Sequence, residues 1–303
     1  MIADELSGVV VPIITPLDDE DRVDEQSLRK VLRYLIEAGV HGIFTGGSAG
    51  EGPLLVTREW ERMVQIVFEE GHGRVHLLAG AMDTSTTRVL EKVRILAQIG
   101  YGAFVVTPTF YVALKSPDEH LRHFGTCKEN SCGIEMIAYN IPQSTGSMIP
   151  LATMLEMAER GWIRYCKESS EQPDYFNALI SRAADCGLRV FQGAESIAIH
   201  SLLLGACGLV PCCANVDPKT FIDAYNAVPH AKADELCGFQ QRITALRTNL
   251  VQAGDCWLAG IKYAMASRGM CSGRMISPLQ PLNNGQKARI DAFLSNEVAA
   301  WHV

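Results

Sequence analysis

Through the first two thirds of the chain, short runs of almost unbroken apolar residues alternate with longer stretches whose apolar positions recur every three or four residues. The first run, Gly8–Thr15 (GVVVPIIT), is rich in β-branched residues and predicts a strand. The stretch after it, Glu25–Ala38, puts Leu28, Val31, Leu32, Leu35 and Ile36 on one helical face. The same two rhythms predict strands over Gly42–Thr45, Val75–Ala79, Ala103–Thr107, Ile134–Tyr139, Ile163–Lys167, Arg189–Gln192 and Gly208–Val210. Helical spacing fills the intervals over Arg58–Glu70, Thr86–Ile99, Asp118–Asn130, Pro150–Glu159, Tyr175–Ala184 and Ser196–Leu204. Strands that are apolar throughout belong in a parallel sheet covered on both faces. About eight βα units close such a sheet, so the expected fold is α/β, a TIM (β/α)8 barrel.

After Pro218 the alternation stops. Phe221–Ala227, Ala231–Val251 and Trp257–Ser267 read as helices with no strand between them, and a proline-punctuated segment, Pro278-Leu279-Gln280-Pro281-Leu282, precedes a last helix to Ala300. The expected organisation is a barrel over 1–223 and a C-terminal helical appendage over 224–303, with no flexible linker, repeat or low-complexity tract.

Composition narrows the partners. Hydrophobic residues make up 48% and charged residues 20% of 303, which is globular, and the net charge of −7 argues against nucleic acid or an anionic membrane as a partner. None of the ten cysteines forms a Cys-x-x-Cys pair, so the expectation is reduced, buried thiols and a cytoplasmic setting, with no metal site. His120 and His123 have i, i+3 spacing without a carboxylate triad and read as a solvated helix face. The start, Met1-Ile2-Ala3-Asp4-Glu5, is acidic and unlike a signal peptide, and no apolar run is long enough to span a membrane.

In a barrel of this kind the reactive groups sit at the C-terminal ends of the strands. Those ends carry Gly46-Gly47-Ser48-Ala49-Gly50-Glu51, Thr107-Pro108-Thr109-Phe110-Tyr111, Tyr139-Asn140-Ile141-Pro142 and Lys167-Glu168-Ser169-Ser170. Lys167 closes an apolar strand. It is either an ammonium snorkelling to solvent or a desolvated amine, the nucleophile that Schiff-base chemistry needs. The glycine loop lacks a Walker or dinucleotide-binding pattern; it is a tight turn or, through the N–H groups of Ser48 and Ala49, a cradle for a small carboxylate. Tyr111 and Tyr139 are either aromatic caps on the barrel or proton-handling phenols. Cys212 and Cys213 read as core thiols.

With these motifs in this order, the chain resembles the dihydrodipicolinate synthase / N-acetylneuraminate lyase superfamily of Schiff-base pyruvate aldolases along essentially its whole length. The family's G-T/S-x-G-E loop is matched by Gly47-Ser48-Ala49-Gly50-Glu51, its T-P-x-Y-Y by Thr107–Tyr111, its Y-N-x-P by Tyr139–Pro142, and its K-E/D-S by Lys167-Glu168-Ser169. Gly205-Ala206-Cys207-Gly208 with Asn215, and Pro278-Leu279 with Pro281-Leu282, also fit. The resemblance implies that Lys167 forms an imine with pyruvate or a 2-oxo acid, so that no metal or organic cofactor is needed. It implies that Tyr139 shuttles protons through Ser48 and through Tyr111 supplied by a neighbouring subunit, hence a homo-oligomer, a dimer of dimers. The Ser48 and Ala49 amides would hold the carboxylate, with Gly47 beside them among the substrate-binding residues; Val210 would pack against the small substrate, Gly193 would offer a backbone contact, and Ser144 and Thr145 would reach a hydroxylated tail. The implied partners are a 2-oxo acid and an aldehyde.

Two positions depart from enzymes that make dihydrodipicolinate. Ala49 stands where they carry threonine, and Gln143 and Ser144 stand where an arginine would grip the carboxylate of aspartate semialdehyde. Losing a bidentate guanidinium there costs several kcal/mol of recognition. The chain is accordingly more similar to 2-keto-3-deoxy-sugar-acid and 4-hydroxy-2-oxoglutarate aldolases, and the expected reaction is cleavage of a hydroxylated 2-oxo acid to pyruvate and an aldehyde. The alternatives are dihydrodipicolinate synthase proper, a 2-keto-3-deoxy acid dehydratase using the same imine, and a non-catalytic 2-oxo-acid-binding homologue.

Overall fold

A computed structural model describes residues 5–302. Eight parallel strands, β1 (Gly8–Pro12), β2 (Gly42–Thr45), β3 (His76–Gly80), β4 (Ala103–Val106), β5 (Glu135–Asn140), β6 (Tyr165–Glu168), β7 (Arg189–Gln192) and β8 (Gly208–Leu209), close into a barrel in chain order. The expected (β/α)8 architecture is therefore present. Inward side chains, among them Val10, Phe44, Val105, Ile137, Tyr165 and Phe191, fill the barrel, while their strand neighbours face the helices. Along β5, Ile137 and Tyr139 point in and Met136 and Ala138 point out, which is why Met136–Tyr139 is an unbroken apolar run between the polar ends Glu135 and Asn140.

The helices α1 (Glu25–Glu37), α2 (Thr57–Gly71), α3 (Thr86–Ile99) and α4 (Pro117–Glu129) follow the first four strands. A four-residue turn, α5 (Pro142–Thr145), precedes α6 (Leu151–Glu159), and α7 (Pro173–Ala183) and α8 (Ala198–Leu203) follow β6 and β7. The next helix, α9 (Pro218–Ala227), packs on β1 as the barrel's eighth helix and runs across the expected division at 223/224. Then come α10 (Ala233–Leu246), a π-helical turn over Arg247–Val251, α11 (Ala259–Ser267) and α12 (Asn284–Phe293). Among the described residues no helix is long and apolar enough to cross a membrane.

Several strand ends and side chains differ from the sequence expectation. The first strand leaves the ladder after Pro12 rather than Thr15, because Asn215 Oδ1 takes the N–H of Ile14 (3.0 Å) while its Nδ2 donates to the Pro12 carbonyl (2.9 Å). The sixth strand starts at Tyr165 and continues through Glu168, so Lys167 lies inside it. All ten cysteines are free thiols, but of these Cys127, Cys166 and Cys213 are fully buried, Cys132 and Cys237 are exposed, and the rest are half-buried.

The two histidines of α4 are not solvated. Both are buried, because that helix turns them toward the end of β4 and the loops beside it. His123 Nε2–H donates to the Thr107 carbonyl (3.0 Å), leaving Nδ1 to accept from the Thr86 hydroxyl (2.9 Å). This neutral ring anchors the strand end from which the Tyr111 loop departs. Burial pushes its pKa down to about 4.

A histidine that ionises near 6.5 when unfolded and near 4 when folded favours the folded state fully above pH 6.5, and that contribution disappears as pH falls to 4. The group is expected to account for roughly 3 kcal/mol of lost stability over that window. Urea unfolding at pH 7, 5.5 and 4 should show a shallower acid decline for His123→Gln than for the wild type; parallel declines would contradict it.

Candidate active site

Lys167 is an inward-facing residue of β6, paired across the sheet with Tyr139 of β5 and Phe191 of β7. Its Nζ lies 4.1 Å from the centroid of the Tyr139 ring and 5.3 Å from that of Phe44. Among the described residues no carboxylate lies within ion-pairing reach of it. The neighbouring Glu168 points to the other face, where it accepts from Asn140 Nδ2 (2.7 Å) and the Ser170 N–H (2.6 Å), and burial pushes its carboxyl up. A buried lysine surrounded by rings and free of a carboxylate keeps its amine available to a carbonyl compound. Tyr139, one strand over and fixed by the same ladder, is the nearest phenol.

The loop after β2 faces this pair. Its carbonyls are used internally: Gly47 O accepts from the Gly50 (3.1 Å) and Gly52 (3.2 Å) N–H groups, and Ser48 O from Glu51 N–H (3.2 Å). The N–H groups of Ser48 and Ala49 take no partner among the described residues, which leaves two adjacent donors for an anion. What holds the loop in place is Glu51, a buried residue in left-handed backbone (φ 54°). One of its carboxylate oxygens pairs with Lys262 of α11, itself buried, and the other accepts from the Ile276 N–H (2.8 Å). The barrel loop is thereby bolted to the C-terminal region.

Seven of the expected residues, Ser48, Ala49, Tyr139, Ser144, Lys167, Gly193 and Val210, line one cavity of about 310 Å³. At Gly193 a side chain has no room, since a Cβ would fall 2.0 Å from Ser169 Oγ and 2.9 Å from Lys167 Cε. Gly47 does not line the cavity; it serves the turn, and a Cβ there would meet the Phe44 ring at 2.8 Å. Tyr111 does not reach the site of its own chain. It stands 94% exposed on the loop after β4, with left-handed backbone (φ 75°) and exposed Val112 beside it. The Thr145 hydroxyl donates to backbone carbonyls of its own turn, so it is not available to a substrate tail. A larger cavity of about 670 Å³ adjoins the first, sharing Ser48, Ile141, Ser144 and Trp257 with it, but does not extend to Lys167.

The sequence reading missed several walls. Cys212 faces the cavity rather than the core, and Glu195 stands beside it, accepting from the N–H (2.7 Å) and Sγ–H (3.2 Å) of Cys213. Burial pushes both the Glu195 carboxyl and the Cys213 thiol up. These three side chains are close enough to hold an ion, yet a protonated thiol donating to the carboxyl is a poor ligand set. Arg247 and Trp257 come from the C-terminal region, where helical spacing carries no hint that two side chains turn back toward the barrel mouth.

Comparison with known proteins bears on the family and the fold. A family model described as the dihydrodipicolinate synthetase family matches residues 5–297. A 4-hydroxy-tetrahydrodipicolinate synthase of Methanothermobacter thermautotrophicus is 34% identical over 219 residues, covering 71% of this chain and 76% of its own. An uncharacterized DapA-like lyase of Halobacterium salinarum is 29% identical over 293 residues, 96% of this chain and 94% of its own. In fold, the chain is similar to YagE, an Escherichia coli K12 prophage protein of the dihydrodipicolinic acid synthase family solved in complex with pyruvate. The TM-score is 0.90 at 23% identity, with 96% and 98% of the two chains covered.

Two substitutions test the architecture. Glu51→Gln leaves the buried Lys262 ammonium without its counter-charge and is expected to destabilise the chain by about 3–5 kcal/mol in denaturant unfolding. The double variant Glu51→Gln/Lys262→Met should recover much of that loss, and additive losses would refute the coupling. Gly193→Ala should displace Ser169 and Lys167 and lower activity at least tenfold, by misplacing the reactive amine. Unchanged turnover would show that the clash is relieved without moving Lys167.

Proposed function

The chain belongs to the dihydrodipicolinate synthetase family of lyases, and on that premise we propose that it is a class I pyruvate aldolase cleaving a hydroxylated 2-oxo acid to pyruvate and an aldehyde. The observation that carries the reading is the in-register pair of Tyr139 and Lys167 facing one cavity with the unpartnered amides of Ser48 and Ala49.

The amides receive the C1 carboxylate, and Lys167 Nζ attacks the C2 keto carbon. The carbinolamine loses water to give the protonated imine. A base then takes the C4 hydroxyl proton, the C3–C4 bond breaks, and its electron pair flows into the imine as an enamine while the aldehyde leaves. Protonation at C3 and attack of water release pyruvate and restore the amine. Tyr139 is the group placed to move these protons. A phenol is a weak base at neutral pH and needs a relay. Ser48 lines the same cavity, and the exposed Tyr111 is suited to complete the relay from a second copy of the chain, so the active form is an oligomer.

Substrate choice turns on two neutral positions. Ala49 offers an amide but no hydroxyl. Gln143 is committed to the Ser170 carbonyl (2.8 Å), which leaves Ser144 facing the cavity where a carboxylate-gripping arginine would otherwise stand. These features favour a hydroxylated 2-oxo acid over condensation with aspartate semialdehyde. The same imine also serves a dehydratase, which would release a dehydrated oxo acid rather than an aldehyde.

Borohydride reduction in the presence of pyruvate, followed by peptide mass spectrometry, should place a single reduced pyruvyl adduct on Lys167 and none in Lys167→Ala. Tyr139→Phe should still trap pyruvate slowly but lose on the order of 10²–10⁴-fold in kcat. Absence of the adduct would turn the reading toward a non-catalytic 2-oxo-acid-binding protein. Aspartate semialdehyde preferred over 2-keto-3-deoxygluconate and 4-hydroxy-2-oxoglutarate would turn it toward dihydrodipicolinate synthesis.

A further inference from the structure

We propose that Arg247 is the receptor for an anionic group at the far end of the substrate, so that the aldehyde half carries a carboxylate of its own. The inference rests on the aldolase reading and adds the chemical class of the second product.

Among the described residues, two cations line the cavity, Lys167 and Arg247. The first is needed for the imine, which leaves the second to explain. Arg247 opens the π-helical turn that follows α10, and its side chain is 20% exposed. A long guanidinium folded back into a cavity that also holds the reactive lysine is costly to desolvate unless anions meet it there.

Its ion-pair partner among the described residues is Glu171, through one nitrogen, Nη2, at 2.7 Å from Oε1. Glu171 sits just after β6 with its side chain 48% exposed, so the pair is a weak one at the cavity mouth. The guanidinium has further N–H groups to offer, and a substrate carboxylate in its place can engage it bidentately.

The other walls point the same way. The positions after β5 that would carry an arginine are the neutral Gln143 and Ser144, and both line this cavity together with Arg247. The spare positive charge of this cavity thus comes from the C-terminal region, while the barrel-loop positions facing the same space are neutral. Glu195, the other carboxyl lining the cavity besides Glu171, is pushed toward its neutral form by burial, which lessens its repulsion of an incoming anion. The site thus has an anion receptor at each end, the Ser48 and Ala49 amides for the C1 carboxylate and Arg247 for the distal one.

The test compares two five-carbon substrates that differ only at the last carbon. 4-Hydroxy-2-oxoglutarate cleaves at C3–C4 to pyruvate and glyoxylate; 4,5-dihydroxy-2-oxopentanoate cleaves at the same bond to pyruvate and glycolaldehyde. The wild type is expected to favour the diacid at least tenfold in kcat/KM. Arg247→Met should lower kcat/KM for the diacid on the order of 10- to 100-fold, mainly through KM, and change the neutral substrate by less than threefold. Arg247→Lys should restore part of that loss. Glu171→Gln removes the internal competitor and should lower KM for the diacid several-fold.

No preference between the two substrates in the wild type, or equal losses on both in Arg247→Met, would overturn the inference. Borohydride trapping of pyruvate on Lys167 is run on every variant. Retained trapping with lost discrimination assigns Arg247 to the distal end, whereas absence of trapping in the wild type overturns the aldolase reading itself.

Discussion

A carboxylate and an ammonium ion sealed from water, Glu51 and Lys262, form the constraint on which the rest of the site depends. Burying either charge alone is strongly unfavourable, so each fixes the position of the other. Glu51 ends the glycine loop after β2, and Lys262 lies on α11 of the C-terminal region. With the Ile276 N–H on its second oxygen, that one carboxylate determines where Ser48 and Ala49 present their amides. The left-handed backbone at Glu51 is sustained by the same contacts.

The pair at the barrel mouth, Tyr139 and Lys167, is positioned by a different means. Tyr139 and Lys167 occupy opposed positions on adjacent strands, so the hydrogen-bond ladder sets their spacing without any contribution from a loop. The aromatic faces of Tyr139 and Phe44 take the place that a carboxylate would hold around an ordinary buried lysine. Gly193 then supplies clearance: the space that a Cβ would fill is occupied by Ser169 Oγ and the end of the Lys167 stem. Rigid strands thus hold the chemistry, while the loops and the C-terminal region shape what enters.

The order of the barrel elements was legible because strands covered on both faces are apolar at every position, and because helices between them keep a strict apolar stripe. Lys167 and Tyr139 were legible for the complementary reason, as polar groups where such strands end. The buried ion pair was not, since its partners are 211 residues apart and a single glutamate or lysine leaves no periodic signal. His120 and His123 misled because i, i+3 spacing says that two residues share a face without saying what the face packs against. The end of β1 was missed because it is set by Asn215, from the far end of the barrel sequence. Arg247 and Trp257 were missed because the spacing of α10 and α11 reads as ordinary helix, and only the three-dimensional path brings them to the cavity.

The shared authorship of the cavity wall has an evolutionary consequence. Tyr139 and Lys167 reside on strands whose replacement would disturb the barrel core, whereas Arg247 and Trp257 reside in a region outside the sheet that meets the barrel at its open end. Drift in that outer region can reshape the mouth of the cavity while the strand-borne groups stay fixed. A lineage built this way can diversify by altering one helical turn outside the sheet, keeping the barrel interior as common inheritance.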